Sequence, residues 1–426
     1  MSSQLSTADA VPSVDATVRI GPKNAIALSV AVAGLALLLL LGGHSGSTTF
    51  RIAADSDFAE LPDITLAASW VPWLLVALCA AIAAASWWLT TQNRSTPLWL
   101  VSVFAFVGMI AFLIWAGAGE TIPMIGLLQG TIFLAVPLIF GAVGGVIGER
   151  AGVVNIAIDG QLLFGAFAAA LTSSLTGSPW AGLIAAAAAG ALVALILAVF
   201  AISYYVDQVI VGVVLNVLLI GVTSFFFDQL LSSDPAKFNT TARFSSWAVP
   251  VLGDIPIIGP VLFRQTLIVY LMYVVVGVVT WALYRSKWGL RLRAVGEHPK
   301  AADTVGINVI RTRYRAIILG GAIAGLGGAF YTLVAVSQFT REMTGGAGYI
   351  ALAAVIFGRW DPLRATLAAL LFGFAQKLQG TLSAINSPVP SEFMLMLPYV
   401  VTLLAVAGLV GKSRAPAADG VPYVKT

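Results

Sequence analysis

Apolar stretches of membrane-crossing length alternate with short polar links along most of this chain. A helix rising about 1.5 Å per residue needs roughly 20 apolar residues to cross the hydrocarbon core, and only a helix or a closed barrel keeps its backbone hydrogen-bonded there. Residues 24–43, 70–90, 97–117, 123–147, 179–202, 207–230, 264–284, 314–336 and 393–410 meet that length. The first follows Lys23 and has no convincing small-residue cleavage site after it, so it reads as a retained span. Two stretches are less regular: 151–175 is interrupted by Asn155, Asp159, Gly160 and Gln161, and 344–379 is divided by Arg359-Trp360-Asp361-Pro362. Counting the first as one span and the second as two short ones predicts an all-α, polytopic bundle of about twelve spans (10–12), with both termini on one side.

The charges give that bundle an orientation. With the N-terminus in the cytoplasm, every Lys and Arg falls inside except Arg51, Lys237, Arg243, Arg264, Arg341 and Lys377. This is the positive-inside bias of a membrane protein, and it predicts a bacterial cytoplasmic (inner) membrane location with both termini cytoplasmic. Removing two short spans together would preserve the same parity.

Composition agrees. The 426 residues are 59% hydrophobic and only 10% charged, more apolar surface than a water-soluble domain of this size could bury. The net charge of +4 sits in short loops between apolar runs, which excludes a nucleic-acid surface. A lone Cys79 and two histidines, His44 and His298, exclude a disulfide framework, a Cys-based cluster and a histidine-rich metal site. Gly408-Leu409-Val410-Gly411-Lys412-Ser413 has two residues between its glycines where a phosphate-binding loop needs four. No catalytic constellation is present, and no cofactor is expected in this chain. The organisation reads as a cytoplasmic tail (1–22), a three-span N-terminal extension (23–120), a core (121–410) and a second polar, disordered cytoplasmic tail (411–426).

The most informative loop runs from Arg285 to Arg313. Gly296 and Pro299 punctuate it, and Pro299 to Val305 reads as a short helix of small residues ended by Gly306. Such a helix lets another backbone approach closely; the plainer reading is a basic loop that only sets topology. Here the chain resembles the permeases of ATP-binding cassette importers of the ribose, branched-chain amino acid and nucleoside group. Their pattern Arg-Ala-x-Gly-x-Asn-x-x-Ala-Ala-x-x-x-Gly-Ile is met by Arg293, Ala294, Gly296, Ala301, Ala302, Gly306 and Ile307, with His298 in place of Asn. The resemblance implies that Arg293, Gly296, Glu297, Ala301, Ala302 and Gly306 belong to a coupling helix region that docks on separate ATPase subunits.

A second segment, Gly148 to Gly165, resembles the Glu-Arg-x-Gly-x-x-Asn-Ile-x-x-Glu-Gly signature of nucleoside-type permeases, with Asp159 in place of Glu. Gly358-Arg359-Trp360-Asp361-Pro362 is similar to the family's Gly-[Arg/Lys]-Trp-Asn-Pro turn. The resemblance implies an importer permease fold with extra N-terminal spans, ATP and Mg bound only on the partner ATPase, a second permease chain and a substrate-binding lipoprotein.

Read physically, Asn155 and Asp159 would share a helix face near or within the membrane, with Glu149 and Arg150 pairing at its edge. They tie spans together or, with Gln161, Asn216 and Phe227, line a path for a hydroxylated solute. Two functions compete: an ATP-driven importer permease, for nucleosides or else sugars or branched-chain amino acids, and an ion-coupled secondary transporter using Asp159 and Asp207. The coupling loop favours the first.

Overall fold

The computed structural model describes residues 21–42, 46–52, 62–385, 392, 393, 396 and 414–425. The expected span at 393–410, most of the expected 1–22 tail and the Gly408 to Ser413 motif therefore lie outside the described residues. Nine described helices have the length and apolar composition to cross a membrane. They are α1 (Lys23–Leu41), α2 (Val71–Thr91), α3 (Leu98–Ala116), α4 (Met124–Arg150), α5 (Ile158–Thr176), α6 (Pro179–Ala198), α7 (Gln208–Phe226), α9 (Leu267–Arg285) and α12 (Val309–Phe330). A π-helical turn extends each of α6, α7 and α12 by five residues. The remaining helices are the single turn α8 (Pro235–Phe238), α10 (Lys287–Glu297), α11 (Pro299–Thr304), α13 (Ala347–Phe357) and α14 (Pro362–Ala384).

The chain divides into two compact units, one formed by residues 1–47 and 66–118, the other by 48–65 and 119–426. In the first, α1, α2 and α3 share a small core of Leu28, Cys79, Ile82, Ala83 and Phe104. Much of the remaining surface is apolar and exposed, including Leu40, Leu98 and Phe106, which suits lipid and not water. Exposed Trp70, Trp88 and Trp99 sit at helix ends, where amphipathic rings prefer the bilayer interface.

In the second unit α12 is central and packs on α4, α5 and α6. Glycine makes the approach possible. A Cβ at Gly144 would collide with the Gly320 carbonyl oxygen, one at Gly190 with that of Gly321, and one at Gly325 with that of Ala186. Lipid supplies no hydrophobic drive between helices, so such backbone contact and its dispersion energy hold the bundle together. Residues 246–248 pair antiparallel with 264–266, and 49–51 pair in parallel with 121–123.

The stretch 344–379 is cut into two helices of unequal length. Gly345 and Gly346, at φ of 54° and 81°, delay the helix start, leaving α13 with 11 residues. Such a helix rises about 16 Å, roughly half of a 30 Å hydrocarbon core. After a break at Gly358–Asp361, α14 runs for 23 residues from an N-cap in which the Asp361 carboxylate accepts from the Arg364 N–H. The loop from Arg285 is also more ordered than its punctuation suggests, because α10 buries Gly289, Leu292, Val295 and Gly296 on one face.

Candidate functional site

Two interruptions of the helical bundle meet at one buried polar centre. The first is residues 151–157, which are not helical, so α5 begins only at Ile158. Gly152, at φ of 83°, turns the chain out of α4. Asn155 therefore does not share a helix face with Asp159, as the uninterrupted reading expected. Its amide instead pairs with that of Gln161 in both directions, at 3.1 and 3.2 Å, and both side chains are fully buried.

Asn216, reaching in from α7, completes the support of this segment. Its oxygen accepts from the Gly160 N–H at 2.8 Å, and its nitrogen donates to the Ile156 carbonyl at 2.9 Å and the Tyr349 hydroxyl at 3.0 Å. Gln208 accepts from the Val154 N–H at 2.7 Å. Irregular backbone at membrane depth is tolerated only where its polar groups find partners, and these amides are the partners.

The second interruption is residues 336–346, which lead into the half-length α13. Asp159, at the start of α5, accepts from the Gly348 N–H at 2.9 Å and from the Thr344 hydroxyl at 3.4 Å. The carboxylate lies against the first turn of α13, where unsatisfied N–H groups and the helix dipole favour negative charge. A Cβ at Gly348 would collide with the Asp159 backbone, so glycine is required at this approach.

Above Thr344 the same loop borders a cavity of about 260 Å³. Phe133, Phe330, Tyr331, Ile350 and Gln376 join Thr344 in its lining. Phe133 and Phe330 meet edge to face with centroids 4.8 Å apart. Sequence reasoning did not select these residues, because isolated aromatics and a single Thr or Gln in apolar runs carry no motif. Phe227, which it did select, lies elsewhere: Phe339 packs near its ring and the Arg341 guanidinium stands over it at 5.3 Å.

At the basic end of the bundle the two motif segments meet. Glu149 accepts a hydrogen bond from the Trp360 indole N–H, and Arg150 donates to the carbonyls of Trp360 at 2.7 Å and Arg359 at 3.4 Å. The expected Glu149–Arg150 pair is thus replaced by two contacts to the turn between α13 and α14. That turn needs holding, since Arg359 and Trp360 both adopt φ of 55°, a region costing about 1–2 kcal/mol per L-residue.

The loop around α10 and α11 packs on this corner and on residues 414–425. A Cβ at Gly296 would collide with the Arg150 carbonyl oxygen. The Gly296 carbonyl accepts from the Ala418 N–H at 2.9 Å, and Glu297 accepts from the Ala417 N–H at 3.2 Å. Ala302 is buried with Val295, Val309 and Tyr423, whereas Ala301 and Gly306 are exposed. The Arg293 guanidinium stands 5.3 Å over the Tyr284 ring.

Residues 414–425 are therefore a packed strap, where their composition predicts a disordered tail. Fully buried Arg313 donates to the Val421 carbonyl at 2.9 Å, and Lys425 pairs with Asp303 at 3.7 Å. Burial pushes the Asp419 carboxyl up to about 7, against the opposing pull of Arg313.

Comparison with known proteins follows the same division of the chain. The family model described as branched-chain amino acid transport system / permease component matches residues 127–406. The guanosine ABC transporter permease protein NupQ of Bacillus subtilis is 42% identical over 308 residues, 70% of this chain and 96% of that protein. The nucleoside ABC transporter permease protein NupC of Lactococcus lactis is 37% identical over 309 residues, 70% of this chain and 97% of that one. The glucose ABC transporter permease protein TsgB13 of Haloferax volcanii is 28% identical over 249 residues, 56% of this chain and 66% of that one.

Proposed function

This chain belongs to the branched-chain amino acid transport system permease family, and we propose that within it the chain passes nucleosides across the bacterial cytoplasmic membrane. It is a multi-pass transport subunit of an ATP-binding cassette importer. The observation that carries the nucleoside reading is the match to the guanosine and nucleoside permeases over nearly their whole length. The polar centre supports it: its described side chains are amides and hydroxyls with one carboxylate already engaged by Gly348 and Thr344, a set suited to a neutral solute. The cavity over Thr344 offers aromatic rings for a planar base and a hydroxyl and an amide for a ribose. Asn155, Asp159, Gln161 and Asn216 then hold the broken backbone beside the path.

Separate ATPase subunits bind ATP and Mg and dock on the exposed face of α11 at Ala301, with both termini of this chain in the cytoplasm. A second permease chain completes the channel, and a binding lipoprotein delivers the solute. Motion at the docking loop passes from Gly296 to the end of α4 at Arg150, and from there to the Trp360 turn. That turn is continuous with α13, whose first turn meets Asp159 and Thr344 under the cavity. A short rigid helix between two held turns is the two-state element such coupling needs.

Reconstitution of the chain with its cognate ATPase, partner permease and binding protein, offered labelled guanosine, adenosine, uridine, ribose, glucose and leucine, tests the reading. ATP-dependent nucleoside uptake is expected. Uptake of sugar or leucine without nucleoside overturns the substrate, and uptake by this chain alone on a proton gradient overturns the class.

A further inference from the structure

Away from the polar centre, one cleft carries positive charge that nothing in the described chain answers. It measures about 390 Å³ and opens between α10, the link Val305, Gly306 and Ile307 after α11, and the first turns of α12. Arg291, Arg311 and Arg315 line it together with Trp288, Asn308 and Thr312, and none of its described lining residues is acidic. Ion pairs among the described residues occur at Arg264, Arg341 and Lys425, and no side-chain hydrogen bond engages these three guanidinium groups. Three like charges in one concavity repel one another and focus a field that draws in an anion. The N-terminus of the 22-residue α12 adds its partial positive charge at the same place.

We propose that this cleft binds a phosphoryl group, in the first instance the headgroup phosphate of an anionic phospholipid. The planar guanidinium fork matches phosphoryl oxygens in pairs, which a lone ammonium does not. Depth supports the lipid source. The candidate span α9 ends at Arg285, α10 starts two residues later, and the candidate span of α12 starts at Val309, so the cleft lies where spans leave the bilayer. Its lining is amphipathic: Trp288, Val305 and Ile307 stand among the arginines, and Val305 is 74% exposed. Phosphate in the cleft with acyl chain along these apolar side chains uses both features, whereas a free phosphate uses one.

The test is binding to the full chain alone, so its outcome is independent of any transport assay. Titration with phosphatidylglycerol, read by native mass spectrometry in neutral detergent, is expected to show one tightly held lipid. Replacing Arg291→Gln, Arg311→Gln and Arg315→Gln together should weaken that lipid about a hundredfold. The paired control Arg285→Gln with Lys287→Gln, outside the cleft, should leave it within about threefold. A second arm measures inorganic phosphate and ATP by calorimetry on delipidated protein. Binding there that the triple variant loses, without lipid retention, keeps the phosphoryl site and assigns it a soluble source. Equal binding by wild type and triple variant in both arms, equal loss in the control pair, or no binding in either arm overturns the site.

Discussion

Asp159 illustrates what one residue does when the backbone around it is broken. Placed in an unbroken helix it would be an isolated charge in an apolar span, but in the fold it accepts from Gly348 and Thr344 at the first turn of α13. Asp159→Ala should therefore leave a buried N–H without a partner and lower stability by about 1–3 kcal/mol, while Asp159→Asn keeps one acceptor and costs less. Thermal unfolding of both variants in one detergent checks the order, and equal losses would remove the capping role. Asp419 offers a pH test. Its carboxyl is raised by burial to about 7 in the seated strap, well above 3.8, so seating favours the protonated form. That contribution is complete below the unfolded value and is lost as pH rises through about 7. Exchange protection of residues 417–424, corrected for intrinsic rates, should fall between about pH 4 and 7 and level off above that in the wild type, and stay flat in Asp419→Asn. The polar residues of 148–161 were legible as a special segment from sequence. Their pairing was not, because whether α5 begins before Asn155 or only at Ile158 decides whether Asn155 faces Asp159 or Gln161.

Among the elements, α11 was legible almost to the residue from Pro299 and Gly306, since both act through local backbone geometry. Which of its faces is free was not legible, because the strap that covers it comes from more than 100 positions away, as the Arg313 to Val421 bond over a separation of 108 illustrates. Ala302 lies under Tyr423 while Ala301 is open. Ala301→Trp should thus keep thermal stability within about 0.5 kcal/mol yet uncouple ATP hydrolysis from uptake by the assembled importer. Ala302→Trp should instead unseat the strap and destabilise the loop by about 1–3 kcal/mol through overpacking. A stable, fully coupled Ala301→Trp would move the docking surface elsewhere. The half-length α13 was hidden for a related reason: apolar composition continues through residues 344–379, and only the glycines at positive φ and the Arg359-Trp360 turn show where the helix is cut.

At the scale of the whole molecule, the two units separate what is shared with relatives from what is added. The family model begins at residue 127, and the guanosine permease is covered over 96% of its own length while leaving 30% of this chain unmatched. The unit holding α1, α2 and α3 has its own core and lies before that match. Three spans are an odd number, so with the proposed cytoplasmic N-terminus their removal would leave the start of α4 facing the outside. Topology is set by basic residues near span ends, and in the core those concentrate between Arg285 and Arg315. The first unit contributes only Arg19, Lys23 and Arg94 to the same side. The core should therefore keep its orientation when residues 1–118 are deleted: a phosphatase tag fused before Gly119 should be active, as only an exported tag is, and a fluorescent tag after Thr426 should still mature in the cytoplasm. An inactive N-terminal tag with an exported C-terminal one would mean that the added spans, and not the basic loop, orient the molecule.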